Sequence, residues 1–498
     1  MSTAEELRQH ERKLTRRVLW KLDIHVLPPL AFLWLANFID RTNIGNARIA
    51  GLEQDTHLKG KEFNTALAVF YVSYILVELP SNWVLKQFKP SRWLPFLVTL
   101  WGTVTTLSGL VQNYSGLLAI RFFLGLCEGG LLPGIMLYLS TLYRPHELQQ
   151  RVGIFYASAS LSGAFGGLLA TAIIKMDGIS GQSGWRWIFI LEGIATVVIA
   201  LTSMLFLPAD IQSAKFFTDE EREFAVNRLC TSFGVTATGP HSRRSQSAMS
   251  ECADPEKPNE TMLEVHMPQL AVEDEQFEWG EVLRGVKDPQ VWMTAVAYMG
   301  IIVSFNILVS SIVLILCPGP LSFRDLDTPE VKHSCTQASG PACGLLYKYL
   351  IYASGYILAI AAKNNVQRYA AVFLMATGIY PCGPCILSIL PNNSAGHYKK
   401  ATTVALQLAV ANCGGFVATF IYDSSQAPTY ARGHSVTLGF VCLAWLAMFC
   451  NVMYCVWENK ARAEGRRQDN LRKYQELWDS GKTRAPIGDR HPDFRFTL

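Results

Sequence analysis

Charge is scarce in this chain. Asp, Glu, Lys and Arg make up 17% of its 498 residues, against about 25% in soluble globular proteins. The formal net charge is only +4, and no stretch interleaves basic with aromatic residues, which argues against a nucleic-acid partner. The phosphate-cradling pattern GxxxxGK[ST] is absent, so a nucleotide-driven pump is not indicated. Residues 1–21 have no apolar core, so a cleaved secretory signal is not expected and the first apolar segment reads as a retained span. Neither a metal nor a cofactor is expected. Twelve cysteines are present, but Cys127, Cys413, Cys442, Cys450 and Cys455 fall inside apolar runs, where they read as small hydrophobes.

The chain is rich in long hydrophobic runs. Half of its residues are hydrophobic, and the mean hydropathy is +0.18 despite polar ends and a polar middle. Runs of about 18 to 25 residues are long enough to cross a roughly 30 Å hydrocarbon core as helices. They fall at 24–46, 66–85, 93–111, 117–139, 152–174, 187–207, 291–316, 345–362, 369–390, 401–422 and 435–456. The expected class is an all-α, multi-pass membrane protein. Lys and Arg gather before the first run (Arg12, Lys13, Arg16, Arg17, Lys21), after the second, after the fourth, in the middle stretch and in the tail. The positive-inside tendency then places both termini in the cytoplasm. The implied organisation is a tail (1–22), a first bundle (23–208), a linker (209–289), a second bundle (290–457) and a final tail (458–498). Within the linker, Thr218 to Glu221 resembles a capping box opening a helix to about Leu229; Cys230 to Glu275 reads as disordered.

The two halves resemble each other. Gly129-Gly-Leu-Leu-Pro133 is similar to the stretch ending at Pro381, at an offset of 381 − 133 = 248. The pair Phe165-Gly-Gly and Cys413-Gly-Gly gives 413 − 165 = 248. Spans four to six therefore recur as the last three, a parallel repeat of the kind transporters use. The interval from span start to proline is 133 − 24 = 109 residues in the first half and 381 − 291 = 90 in the second. The shortfall is close to one crossing, and the runs number eleven where two cytoplasmic ends require an even count. The eighth of twelve spans is missing: 318–341 carries Arg324, Asp325, Asp327, Glu330 and Lys332 and cannot face lipid.

Charges inside spans are expensive and mark function by default. Asp40 and Arg41 lie in span one, Glu78 in span two, Arg121 and Glu128 in span four, and Glu192 in span six. Arg121 and Glu128 are seven apart, about two turns along one face. An arginine there suits a carboxylate, and a part-buried glutamate suits proton exchange. The plainer reading of Asp40 and Arg41 is an ion pair at the span's outer end. Glu78 and Glu192 read as structural or gating groups.

Three stretches carry a family resemblance: Asn37-Phe-Ile-Asp-Arg41-Thr-Asn-Ile-Gly-Asn46, the Tyr71 to Asn82 stretch ending Glu-Leu-Pro-Ser-Asn, and Arg121-Phe-Phe-Leu-Gly-Leu-Cys-Glu128-Gly-Gly-Leu-Leu-Pro-Gly134. The chain resembles the anion:cation symporter family of the major facilitator superfamily, in its fungal allantoate and nicotinate permease branch. The resemblance implies the major facilitator fold of two six-helix bundles and proton-coupled uptake of a small organic anion across the plasma membrane by a monomer. It further implies that Asp40 and Glu128 exchange protons, that Arg41 and Arg121 hold the anion, and that Tyr74 faces the substrate. Gln407 and Asn412, on the repeat of span five, are expected to contact substrate or to join helices. Three features depart from the family: Lys86 replaces an acidic residue, residues 306–346 match nothing in it, and Cys382-Gly-Pro-Cys385 copies a redox motif outside any βαβ unit. The abrupt 306–346 segment suggests a retained intron or splice variant, hence an inactive product. A non-transporting nutrient sensor is the other alternative.

Overall fold

The computed structural model describes residues 2–232, 278–316, 341–362, 364–421, 430–483, 485 and 487–497. Among them there is no strand. The helices used below are α1 (Ser2–Ala47), α2 (Glu62–Phe88), α3 (Pro90–Ser108), α4 (Tyr114–Glu128), α5 (Leu131–Leu142), α6 (Pro145–Ile174), α7 (Gly184–Phe206), α8 (Asp219–Ser232) and α9 (Trp279–Val286). The second half continues with α10 (Pro289–Leu316), α11 (Pro341–Ala361), α12 (Asn365–Ile379), α13 (Cys382–Asn393), α14 (His397–Ile421), α15 (Ala431–Ala463) and α16 (Asp469–Asp479). Among the described residues, seven helical segments are long and apolar enough to cross a membrane.

The side-chain distribution is that of a protein in lipid. On α7, Leu191, Ile194, Val198, Leu201 and Leu205 are exposed, while Ile188, Glu192, Thr196 and Ser203 are buried. Both sets recur with helical spacing, so the outward face is apolar but for Thr202, whose hydroxyl donates to the Val198 carbonyl, and the other holds the polar groups inside. Small residues let the inward faces meet. A Cβ added at Gly193 would lie 2.7 Å from the Gly102 carbonyl of α3, so only glycine permits this approach of α3 to α7.

The fourth run is not one helix. It breaks at Gly129–Gly130, between α4 and α5. Pro133 has no N–H to return to the carbonyl four residues back, which is that of Gly129. The same break separates α12 from α13 at Tyr380–Pro381, where Pro384 removes the bond to Tyr380. These helices superpose at 365 − 114 = 251 and 382 − 131 = 251, not at 248. Pro133 thus corresponds to Pro384 and not, as the motif suggested, to Pro381. Both first segments are capped alike: Asn113 accepts from the Gly116 N–H (2.8 Å) and Asn364 from the Gln367 N–H (2.9 Å).

Helix neighbours repeat as well. α1 packs on α6 and α7 as α10 packs on α14 and α15, and α3 packs on α7 as α11 packs on α15. The packing of α2 on α4 has no counterpart among the described residues. Across the two sets, α2 meets α14 and α6 meets α13. The aberrant segment is shorter than expected, because 306–316 continues α10 and 341–346 begins α11; 317–340 lies outside the described residues.

The polar parts are more ordered than their composition suggests. The capping box forms: the Thr218 N–H donates to Glu221 Oε2 (3.0 Å) and the Glu221 N–H to Thr218 Oγ1 (3.3 Å). Helix α8 runs on to Ser232, and most of the stretch read as disordered, 233–277, lies outside the described residues. The final tail docks: Asp489 is buried between Lys399 (2.5 Å) and Arg284 (3.0 Å), and the Thr497 N–H donates to Asn393 (2.8 Å).

Candidate functional site

The charges expected inside the spans, Glu78 excepted, gather in one buried region between α1, α3, α4 and α7. Asp40 and Arg41 are adjacent in sequence but point apart and do not pair with each other. Asp40 Oδ2 accepts from the Trp101 indole N–H (2.8 Å) and the Thr105 hydroxyl (3.3 Å), one turn apart on α3. Arg41 instead crosses to α4, where its Nε and Nη2 reach Glu128 Oε1 at 2.8 and 2.6 Å. Asn37, one turn before Arg41, donates to the same oxygen at 2.6 Å. The interfacial Asp40–Arg41 pair is therefore not what forms. The guanidinium of Arg41 also lies over the rings of Tyr74 (5.4 Å) and Phe70 (5.8 Å), so aromatic faces add to its hold.

Arg121 differs. It is buried, its Nε has no partner, and its guanidinium makes no hydrogen bond or ion pair with any described residue. Asp40 and Glu128 are the charges that act on it. Two turns separate it from Glu128 on α4, and the acidic residue there is already taken by Arg41. A buried guanidinium with unsatisfied donors is costly unless an anion joins it during the working cycle.

Glu192 is held by Asn43 of α1, through a hydrogen bond between its carboxylate and the Asn43 amide. Glu78, fully buried on α2, accepts from Asn412 Nδ2 of α14 at 2.8 Å. Asn412 thus joins helices, and it also lines a central cavity with Arg41, Tyr74, Tyr156, Tyr298 and Leu408. Gln407 does not reach that cavity; its amide donates to the Ile386 carbonyl of α13 (3.4 Å). The cavity holds about 20 Å³, room for about one water, and Tyr156 and Tyr298 meet across it, hydroxyl to hydroxyl at 3.5 Å. This is a closed state around the central site. A larger hollow of about 510 Å³ lies elsewhere, on the charged face of α1 near Arg8, Arg12 and Arg16.

Cys382 and Cys385 are buried at the start of α13, with Cys382 donating to the Gly378 carbonyl (3.0 Å) and Cys385 accepting from Gln149 of α6 (3.5 Å). Both are structural positions. Asn37, Asn43, Trp101 and Thr105 were not singled out in the sequence. The available signal was spacing: Asn37 with Arg41, and Trp101 with Thr105, are each four apart and so share a helix face.

An all-α membrane protein with charged groups sealed at its centre and a cavity between two sets of helices has the make-up of a solute carrier. Residues 30–449 match the Major Facilitator Superfamily. The chain belongs to that superfamily and is a secondary active transporter, not an enzyme. It is 35% identical over 506 residues to "Uncharacterized transporter C11D3.18C" of Schizosaccharomyces pombe, covering 98% of this chain and 91% of the relative. It is 26% identical to the high-affinity nicotinic acid transporter of Saccharomyces cerevisiae, covering 97% and 85%. In fold it is similar to the proton:xylose symporter XylE, with a TM-score of 0.56 at 11% identity, covering 86% of this chain and 94% of that one.

Proposed function

We propose that this chain is a proton-coupled symporter of a small organic anion, nicotinate or a related carboxylate, working by alternating access of two helix bundles. The observation that carries the reading is Arg121, a buried guanidinium with no hydrogen-bond or ion-pair partner among the described residues, two turns from Glu128 on α4. The bundles are α1–α7 and α10–α15, with eleven crossings among the described residues, α4–α5 and α12–α13 counting as one each. The repeated helix neighbours support that division, and α2–α14 and α6–α13 are the seams along which they rock.

In this reading Arg121 receives the carboxylate, and Arg41 is released from Glu128 as the substrate enters. Asp40 and Glu128 exchange protons as their donors come and go. Tyr74 and Asn412 line the path, while Gln407 serves packing. Both termini face the cytoplasm of a cell whose plasma membrane houses the carrier. The test is uptake of labelled nicotinate into proteoliposomes holding the full chain. Uptake should rise as the outside is acidified, and Arg121→Ala should abolish it. Uptake that ignores the proton gradient, or that survives Arg121→Ala, overturns the reading.

A further inference from the structure

Glu78 is the one buried carboxyl in this region held by neither an arginine nor a group on its own bundle. Its exposure is 0%. Oε1 has one donor, the neutral amide of Asn412 at 2.8 Å, and Oε2 has no partner. The charge that acts on it is Arg41, which is already bonded to Glu128. The elements packed against α2 offer little else. α4 brings Glu128 and Cys127, α14 brings Cys413, and α2 itself brings Tyr74. Arg92 at the start of α3, and Lys399 and Lys400 at the start of α14, belong to the level of Asn82, a turn or more beyond; Lys399 is engaged by Asp288 and Asp489. One neutral donor does not offset the desolvation of a carboxylate. The arrangement instead suits a carboxylic acid that keeps its proton while it is sealed.

The seal is the α2–α14 seam itself. One turn beyond Glu78, Asn82 donates to the Ala401 carbonyl (3.2 Å) and Trp83 to the Thr402 hydroxyl (3.5 Å). On the cavity side, Gly415 of α14 leaves room for the Tyr71 ring of α2. Parting of α2 from α14 removes these bonds together, takes Asn412 from Glu78 and opens the carboxyl to water. We propose that Glu78 is a proton-binding site of the transport cycle, protonated while α2 is docked on α14 and releasing its proton to water when the seam opens. The proton taken up from one side is carried by Glu78 through the closed state, so seam opening and protonation exclude the wrong combinations. This rests on the proton-coupled reading above but makes a separate claim, because it places a further coupling proton on α2, beside those on α1 and α4.

The test uses the full chain in proteoliposomes with labelled nicotinate as probe, together with infrared difference spectra of the same preparations between acid and alkaline buffer. Glu78→Gln mimics the protonated group and keeps the Asn412 contact. It should let nicotinate equilibrate but not accumulate, with the inside-to-outside ratio falling to one, and its rate should lose its dependence on pH. The protonated-carboxyl band of the wild type should lose intensity in the variant. Glu78→Asp, which can still carry a proton, should recover part of the accumulation. Wild-type accumulation by Glu78→Gln, or an unchanged carboxyl band, overturns the proposal. Should the wild type fail to move nicotinate, the substrate reading falls, and the carboxyl band alone decides this one.

Discussion

Replacing Arg41 by Gln should destabilise the protein mainly through Glu128. The carboxylate of Glu128 is 1% exposed, and its Oε1 accepts from Arg41 and Asn37 while Oε2 has no partner. Without Arg41 a single amide remains. Breaking a buried pair by removing one partner costs about 3 to 5 kcal/mol. Arg41 itself is 25% exposed, so water reaches this side of the pair and the lower end, about 3 kcal/mol, is expected. At roughly 2 °C per kcal/mol for a large domain, the melting temperature should fall by about 6 °C. The assay is thermal unfolding of detergent-purified protein followed by tryptophan fluorescence, on Arg41→Gln, Glu128→Gln and the double variant. The double variant has no buried charge to strand, so it should recover most of the loss, giving a coupling of about 2 to 3 kcal/mol. Equal melting of Arg41→Gln and the double variant, with no coupling, refutes the reasoning, because the loss would then come from Arg41 packing on Tyr74 and Phe70.

Arg121→Gln should behave in the opposite way: with no ion pair to lose, its melting temperature should hold or rise, while nicotinate uptake falls about 100-fold or more; a drop in stability like that of Arg41→Gln would contradict the unpartnered geometry. Gly193→Leu should cost at least about 3 kcal/mol by forcing α3 from α7, seen as loss of monodisperse protein on size exclusion, whereas an exposed change such as Leu205→Ala should leave the elution profile unaltered. At Glu221, burial pushes the carboxyl up, but hydrogen bonds from Lys21 and Thr218 outweigh it and hold the group below its ordinary range. A depressed carboxylate contributes stability above its unfolded value and loses it as pH falls through the folded one, so hydrogen-exchange protection of α8, corrected for intrinsic rate, should weaken in acid. Lys21→Ala should weaken it at neutral pH and flatten the trend. Finally, Gln149→Cys should be joined to Cys385 by a short bismaleimide if α6 packs directly on α13; protection of this pair from the reagent would mean that another span lies between them.

The spans were legible because lipid imposes one rule on every residue of a crossing. Runs such as 187–207 and 401–422 differ from α7 and α14 only by a few residues at each end. The charged positions were legible for the same reason, since Asp40, Arg121 and Glu128 stand out against apolar neighbours. Their partners were not. Spacing on α4 put Arg121 and Glu128 on one face, but which cation Glu128 takes depends on how α1 lies against α4, and Arg41 wins because it and Asn37, one turn apart on α1, converge on one oxygen. Asn412 could equally have faced substrate or a helix. Its bond to Glu78 is a contact across 334 residues, which no local pattern encodes.

The same distinction explains the offset. A motif match weighs residue types, and Pro133 pairs with Pro381 because each ends a Gly-x-x-Pro stretch, Gly130-Leu-Leu-Pro133 and Gly378-Ile-Tyr-Pro381. A helix break is set by a missing N–H four residues further on, and that criterion selects Pro384, which places the break at Tyr380 as Pro133 places it at Gly129. Moving the register by 384 − 381 = 3 residues changes the counterparts of the charged pair but not their character, since 121 + 248 = 369 and 128 + 248 = 376 are Tyr369 and Ala376, also uncharged. Arg121 and Glu128 now correspond to 121 + 251 = 372 and 128 + 251 = 379, which are Val372 and Ile379. The second bundle thus repeats the broken helix without its charges. The site is asymmetric: α1, α2, α4 and α7 supply the arginines and carboxylates, and α10 and α14 supply Tyr298, Asn412 and an apolar wall. In the proposed two-bundle cycle, rocking moves a neutral surface over a charged one. The seams, not a second charged centre, then have to report which side is open, and that is the place Glu78 occupies.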